Sequence, residues 1–228
     1  MRSNDEKEVQ MHKTAFRLLT PVIIAMITFG NASSNSQTAA QEPASNATGN
    51  DPRREMITAL PALNPHPSLG DQARVFDRFV GTWDCDYVHY EKDGRVTRYP
   101  GEVIFGWIID GRALQDIWIW YEKGRSKNER GIGTTLRIFD PKSGKWRIVW
   151  VAPEAGIIKT LTGGAVGDRI VLEGKADDGS SLRWSFNDIR NDSFVWRGET
   201  SSDEGKTWRL TAEYHMRRRS PAAANSFQ

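Results

Sequence analysis

The chain has 228 residues, among them nine Trp, nine Phe and five Tyr, and a formal net charge of +2 from 31 basic and 29 acidic side chains. That length carries one domain of ordinary size plus tails. The balanced charge excludes an electrostatic footprint for nucleic acid, which the short run Arg217-Arg218-Arg219 does not supply.

Taken from the N-terminus, residues 1–32 read as a signal peptide. Lys13 and Arg17 precede an apolar run, Leu18 to Phe29, and small residues follow at Gly30 and Ala32. The run is shorter than the ~20 apolar residues a bilayer span needs. With no cysteine beside the cleavage site, a lipoprotein anchor is excluded. The acidic start (Asp5, Glu6, Glu8) interrupts the basic region, and translation from Met11 would give a cleaner one. The expectation is export, to the periplasm or outside the cell. Residues 33–67 are rich in Ser, Asn, Thr, Ala, Gln and Pro and read as a disordered spacer; residues 220–228 read as a disordered tail. The domain is expected over 68–219.

One helix is expected, Ser68 to Phe79, with Ser68 as its cap, Leu69, Val75, Phe76 and Phe79 on one face, and Gly81 as its stop. From Trp83 the period becomes two. Strand-like runs occupy 82–90, 101–109, 113–121, 133–139, 146–151, 157–162, 168–174, 181–189, 193–200 and 207–218. Turn chemistry separates them at Asp93-Gly94, Asp110-Gly111, Asp140-Pro141 to Gly144, Gly163-Gly164, Asp178-Gly179 and Asn191-Asp192. The fold expected is all-β: an antiparallel up-and-down barrel of about ten strands with one short N-terminal helix. Near the C-terminus the even-numbered residues face the core: Leu182, Trp184 and Phe186, then Phe194 and Trp196, then Trp208, Leu210, Ala212, Tyr214 and Met216. A hairpin centred on Asn191 sets Phe186 against Trp196 and Arg183 against Glu199. One centred on Glu204 sets Glu199 against Arg209, so Glu199 is expected between two arginines on the outer face.

Gly81-Thr82-Trp83, which opens the first strand, resembles the G-x-W start of the lipocalin-like (calycin) barrels. With Phe79-Val-Gly-Thr-Trp83, the stretches Gly106-Trp107, Asp110-Gly-Arg112, Gln115-Asp116, Gly133-Thr-Thr-Leu-Arg137, Asp140-Pro141, Leu182-Arg-Trp-Ser-Phe186 and Phe194-Val-Trp-Arg-Gly-Glu199 resemble a bacterial domain-of-unknown-function family of that architecture. The resemblance covers residues 70–219. It implies a barrel whose relatives often hold small apolar ligands, and it brings no activity and no catalytic residues. Lipocalin-like barrels commonly close with an arginine stacked on the tryptophan of the first strand. Here Arg218 shares the parity of the core-facing set and ends the last strand beside Trp83, so a guanidinium within about 6 Å of the Trp83 ring is expected.

Several constellations carry a chemical reading beside a structural one. Cys85 is either a nucleophile or metal ligand, or a small buried apolar residue beside Trp83. Ser201, Asp203, Gly205, Thr207 and Trp208 match the Asp-box of sialidase propellers, but the motif occurs once and reads as a structural hairpin. Asp110, Arg112 and Asp116 crowd one hairpin at the barrel mouth and are the candidates for an enzyme acting there. His89 and His215 lie on strands that adjoin in a closed barrel, but opposite parity sends them to different faces; a lone His215 haem ligand, as in the distantly similar nitrobindin-like barrels, is the remaining metal reading. No metal set and no cofactor is expected. Trp83, Trp107, Trp184, Trp196 and Tyr214 are the candidate ligand-lining residues, and the aromatics either line a cavity or fill the barrel. The function expected is a small, mainly apolar ligand held by an exported barrel, with no nucleic-acid partner and no membrane span in the mature protein; the oligomeric state is left open.

Overall fold

The computed structural model describes residues 52–121 and 130–220. The expected signal peptide, the start of the spacer and the last eight residues lie outside them. The elements are α1 (Pro52–Ala59), β1 (Pro61–Ala62), a 3-10 turn at Pro67–Gln72, α2 (Ala73–Asp77) and ten long strands. These strands are β2 (Gly81–Tyr90), β3 (Val96–Ile108), β4 (Ala113–Trp120), β5 (Gly131–Asp140), β6 (Lys145–Ala152), β7 (Ile157–Val166), β8 (Arg169–Lys175), β9 (Ser181–Asn187), β10 (Ser193–Ser201) and β11 (Arg209–Arg218). Each pairs antiparallel with its sequence neighbour, and β11 returns to β2 with Met216 opposite Cys85 and Arg218 opposite Trp83. The result is a closed ten-strand up-and-down barrel of the lipocalin-like kind, in which closure leaves no long edge unpaired.

The period-two pattern sets which side chains point inward, except beyond the bulge in β11, where Leu210 lies opposite the outer-face Glu199 and Trp208 packs under Arg183 instead of in the core. Phe186 is opposite Trp196, and both belong to the interior set. Gly94, Gly111, Gly144 and Gly179 take positive φ in the hairpins where turn chemistry places them. At Gly163-Gly164, however, the strand continues: β7 runs to Val166 and the turn falls at Gly167 (φ 62°). A Cβ on Gly163 would sit 2.0 Å from the Val171 carbonyl oxygen, so this glycine serves close backbone approach inside the sheet. The second long strand begins at Val96 rather than 101, running through Pro100. The Pro100 carbonyl accepts from Tyr121 N (3.0 Å) on the β4 side. Its ring nitrogen therefore faces beyond the end of β4, where no N–H is needed.

Of the expected spacer, the described part folds. β2 starts at Gly81 and leaves the end of β3 uncovered, and β1 takes that place, Pro61 opposite Ile108 and Ala62 opposite Trp107. Ile109 N donates to Leu60 O (3.0 Å) and His66 N to Gly111 O (2.9 Å). The expected Ser68–Phe79 helix is not continuous: the 3-10 turn Pro67–Gln72 is kinked within itself at Gly70 (φ 50°, ψ −134°), and the α-helical part is only Ala73–Asp77. The cap of the turn is His66, whose ring nitrogen accepts from Ser68 N, because Pro67 already occupies the first helical position. Leu69, Phe76 and Phe79 are buried as the helical face requires, and Val75 packs against them.

These residues plug one end of the barrel. Phe76 meets Trp146 edge-on at 4.9 Å, and Phe79 meets Phe194 at 4.7 Å. Trp83 Nε1 donates to Phe79 O (2.7 Å) and Trp107 Nε1 to Asp77 (2.8 Å), so both indoles hold the plug. Arg218 lies 4.1 Å from the Trp83 ring and donates to the carbonyls of Asn191, Val80 and Arg78. A planar fork with several donors suits this joint, where a chain end, a hairpin and the plug meet.

Candidate functional site

Among the described residues, nothing closes the other end of the barrel. Its interior holds a cavity of about 1200 Å³ whose mouth is rimmed by the β2–β3, β6–β7, β8–β9 and β10–β11 hairpins, with Glu91, Arg95, Glu154, Ser180 and Ser202 along it. The barrel is thus packed in the half next to the plug and hollow in the other. Both readings of the aromatics hold, each for its own half.

The hollow half has an aromatic wall. Trp196 stacks on Tyr214 (4.4 Å, 14°), Tyr214 meets Trp118 at 4.4 Å and Tyr87 at 4.5 Å, and Trp184 stands edge-on to Trp196 and Trp150. Room for two of the indoles comes from β5. A Cβ on Gly131 would lie 2.0 Å from the Trp120 ring, and one on Gly133 would lie 2.4 Å from the Trp150 ring. With hydrogen there instead, both indoles lie against the wall. Burial raises the pKa of Tyr87 and Tyr214, helped by neighbouring phenols, so both present neutral hydroxyls.

The cavity floor is polar and charged. Asp116 and Arg137 project inward from β4 and β5, with side chains 1% and 4% exposed, and their ion pair is 2.7 Å long. Asp116 also accepts from Thr135 N (2.9 Å). The Arg137 guanidinium packs 5.3 Å from Phe76, 5.5 Å from Phe105 and 5.9 Å from Phe186, on the upper side of the packed half. Only Nη2 is bonded; Nε and Nη1 are buried without an acceptor.

Of the expected ligand-lining residues, Trp184, Trp196 and Tyr214 lie in the cavity wall. Trp83 and Trp107 do not: they are fully buried at the plugged end, where their indoles bond Phe79 O and Asp77. The trio Asp110, Arg112 and Asp116 is dispersed. Asp116 is inside the barrel, whereas Asp110 and Arg112 sit in the β3–β4 turn at the plugged end, where both approach His66. They are therefore not at the mouth. His89 lines the cavity, its Nδ1 3.0 Å from the Tyr87 hydroxyl. His215 is on the outer wall, 47% exposed and 2.8 Å from Glu213, so it does not address an interior haem.

Three other expectations resolve locally. Cys85 is buried, and burial raises its thiol pKa. The Asp-box is a hairpin: Asp203 accepts from Thr207 N (2.9 Å), Thr207 Oγ1 (2.6 Å) and Ser201 Oγ (2.7 Å), and Trp208 Nε1 donates to Gly205 O. Glu199 is opposite Arg183, but a bulge at Gly198/Glu199 shifts β11 so that Arg209 is opposite Thr200. Arg183 bonds Glu173 (3.1 Å) and stacks 3.8 Å over Trp208, so the three-residue ladder does not form. Gly198, at the bulge, is where the Trp196 ring crosses the strand.

Arg137, Trp118 and Trp150 escaped the sequence reading as site residues. Arg137 shares its face with Gly131, Gly133 and Thr135, so β5 shows no apolar alternation to mark that face as interior. The available signal was across strands: Asp116 is directly opposite Thr135, and it shares the parity of Trp118 and Trp120.

No family model matches the chain, and no curated protein does. Among solved structures it is similar to the crystal structure of Rv2717c from M. tuberculosis, with TM-score 0.51 and 18% identity over 69% of this chain and all of that one. It is also similar to the S-type phycobiliprotein lyase CPES from Guillardia theta, with TM-score 0.48 and 12% identity over 64% of this chain and 92% of that one. The first likeness supports the fold.

Proposed function

We propose that the protein is a binding barrel for a small, mainly apolar molecule held in the open half of the lumen. The observation that carries this reading is the cavity itself, about 1200 Å³ and walled by Trp118, Trp150, Trp184, Trp196 and Tyr214. A wall of this composition gains free energy when apolar surface replaces water, and ligand pockets are concave and mostly apolar for that reason. An enzyme at the mouth built on Asp110, Arg112 and Asp116 has no support, since the three do not converge. The finer assignment, to the bacterial domain-of-unknown-function family, rests on the motifs around Trp83, Asp110 and Arg137.

The test is a titration with N-phenyl-1-naphthylamine, a neutral apolar fluorophore. Saturable binding at one site, with quenching of the cavity tryptophans, is the expected result. Absence of saturable binding, together with native mass spectrometry of protein from its own host showing no retained small molecule, would overturn the reading. The proposal extends to location: the mature protein acts outside the cytoplasm after cleavage near Ala32. N-terminal sequencing of the protein from an extracytoplasmic fraction checks this, and an intact N-terminus in the cytoplasm would contradict it.

A further inference from the structure

The floor of the cavity holds an imbalance that the apolar wall does not account for. Arg137 has two buried donors, Nε and Nη1, without an acceptor, while its Nη2 is tied to Asp116. Buried donors normally find partners, and each one left empty carries a penalty that a suitable acceptor removes. Bulk water does not reach these atoms, whereas Arg137 and Asp116 both form part of the cavity wall. From this we infer that the ligand carries an uncharged oxygen acceptor, a ketone- or ester-type carbonyl, on its leading end, and that it enters carbonyl first to bond Arg137.

The sign of the charge decides between carbonyl and carboxylate. Asp116 already neutralises the guanidinium at 2.7 Å, with both residues almost fully buried. A ligand carboxylate would add a second negative charge to this pair in a poorly solvated site, which is costly. A carbonyl supplies lone pairs without net charge. Nε and Nη1 lie on different edges of the guanidinium, so the acceptor takes one of them. Reaching it requires a small swing of the guanidinium about the Nη2–Asp116 bond, which stays in place. Phe105 and Phe186, beside the guanidinium and also in the cavity wall, position an aromatic or alicyclic body just above the carbonyl.

The inference rests on the proposed ligand-binding function and is separable from it. Three probes of one shape are titrated against the full chain: 2-ethylnaphthalene, 2-acetylnaphthalene and 2-naphthoate. The expected order is acetyl tightest, by about tenfold or more over ethyl, although ethyl is the more apolar. In Asp116→Leu/Arg137→Met, which removes the pair together, the acetyl advantage should vanish while ethyl affinity persists. In the wild-type complex the carbonyl stretch of bound 2-acetylnaphthalene should fall relative to hexane, a readout independent of whether the variant folds. Equal binding of ethyl and acetyl, an unshifted carbonyl band, or an acetyl advantage that survives in the variant overturns the carbonyl site and leaves apolar binding intact. Tightest binding by 2-naphthoate overturns it in favour of an anion site. No binding by any of the three overturns the carbonyl site, and defeats the apolar-ligand reading as well when N-phenyl-1-naphthylamine also fails to bind and no molecule is retained.

Discussion

At the residue scale, burial and local hydrogen bonds decide what each reactive group can do. Cys85 faces the interior between Trp83 and Tyr87, and burial raises its pKa, disfavouring the thiolate that reacts. The native protein should therefore leave Ellman's reagent uncoloured and react only on unfolding in denaturant; rapid labelling of folded protein would contradict this. Asp203 is the opposite case. Bonds from Thr207 and Ser201 hold its carboxyl down, from an ordinary 3.8 to about 2. Because the folded value is the lower one, its stabilisation of the hairpin is present above the ordinary value and is lost as pH falls through about 2. The Asp203 carboxyl carbon should titrate in NMR near 2, and Asp203→Ala should speed hydrogen exchange at the Gly205 and Thr207 amides. A midpoint near the ordinary value would show that the hairpin bonds are weak in solution.

At the element scale, the joints between strands carry specific chemistry. Arg218 ends β11 and bonds the Asn191, Val80 and Arg78 carbonyls while stacking on Trp83. Lysine keeps the charge but presents a point donor on a flexible stem, so it cannot reach three carbonyls in one plane. Arg218→Lys should cost about 2 kcal/mol, from at least two lost charge-assisted bonds at ~1 kcal/mol each after partial replacement by water. Denaturant unfolding measures this, and a loss below ~0.5 kcal/mol would make the joint ornamental. On β5, Gly133 sets the position of the Trp150 indole. Gly133→Ala should push that indole into the lumen and weaken N-phenyl-1-naphthylamine binding while changing stability little. Unchanged affinity would show that Trp150 can move elsewhere.

At the scale of the whole molecule, the barrel is two halves divided by a buried ion pair. The packed half, from Phe76 and Phe79 to Phe186 and Phe194, supplies the apolar burial that supports the fold. The hollow half forgoes that packing. Removing one partner of the pair should be far worse than removing both. Asp116→Ala leaves the Arg137 charge buried without compensation, a loss of about 3–5 kcal/mol, or about 10 °C in Tm for a domain of this size. Asp116→Leu/Arg137→Met should recover most of it, because two apolar side chains of similar volume replace two desolvated charges. Thermal unfolding of the three proteins checks the order; a double variant as unstable as the single one would assign the loss to packing.

The sequence by itself determined the barrel. Period-two alternation and turn residues are local signals, and pairing registers follow from loop centres, which is why Phe186 opposite Trp196 and Arg183 opposite Glu199 were legible. Where a local signal served a distant purpose the reading departed from the structure. Gly163-Gly164 has turn composition but answers to the Val171 carbonyl across the sheet, and the bulge at Gly198 shifts Arg209 away from Glu199. β1 exists because a strand far along the chain has an uncovered edge. Parity tells inside from outside but not height along the barrel axis. Trp83 and Trp196 both face inward, yet one is under the plug and the other in the cavity wall. Height depends on strand stagger and on where α2 enters, and both are properties of the closed sheet. For the same reason only the tertiary structure brought Asp116 to Arg137, 21 residues apart, and left two guanidinium donors buried beside a cavity without an acceptor.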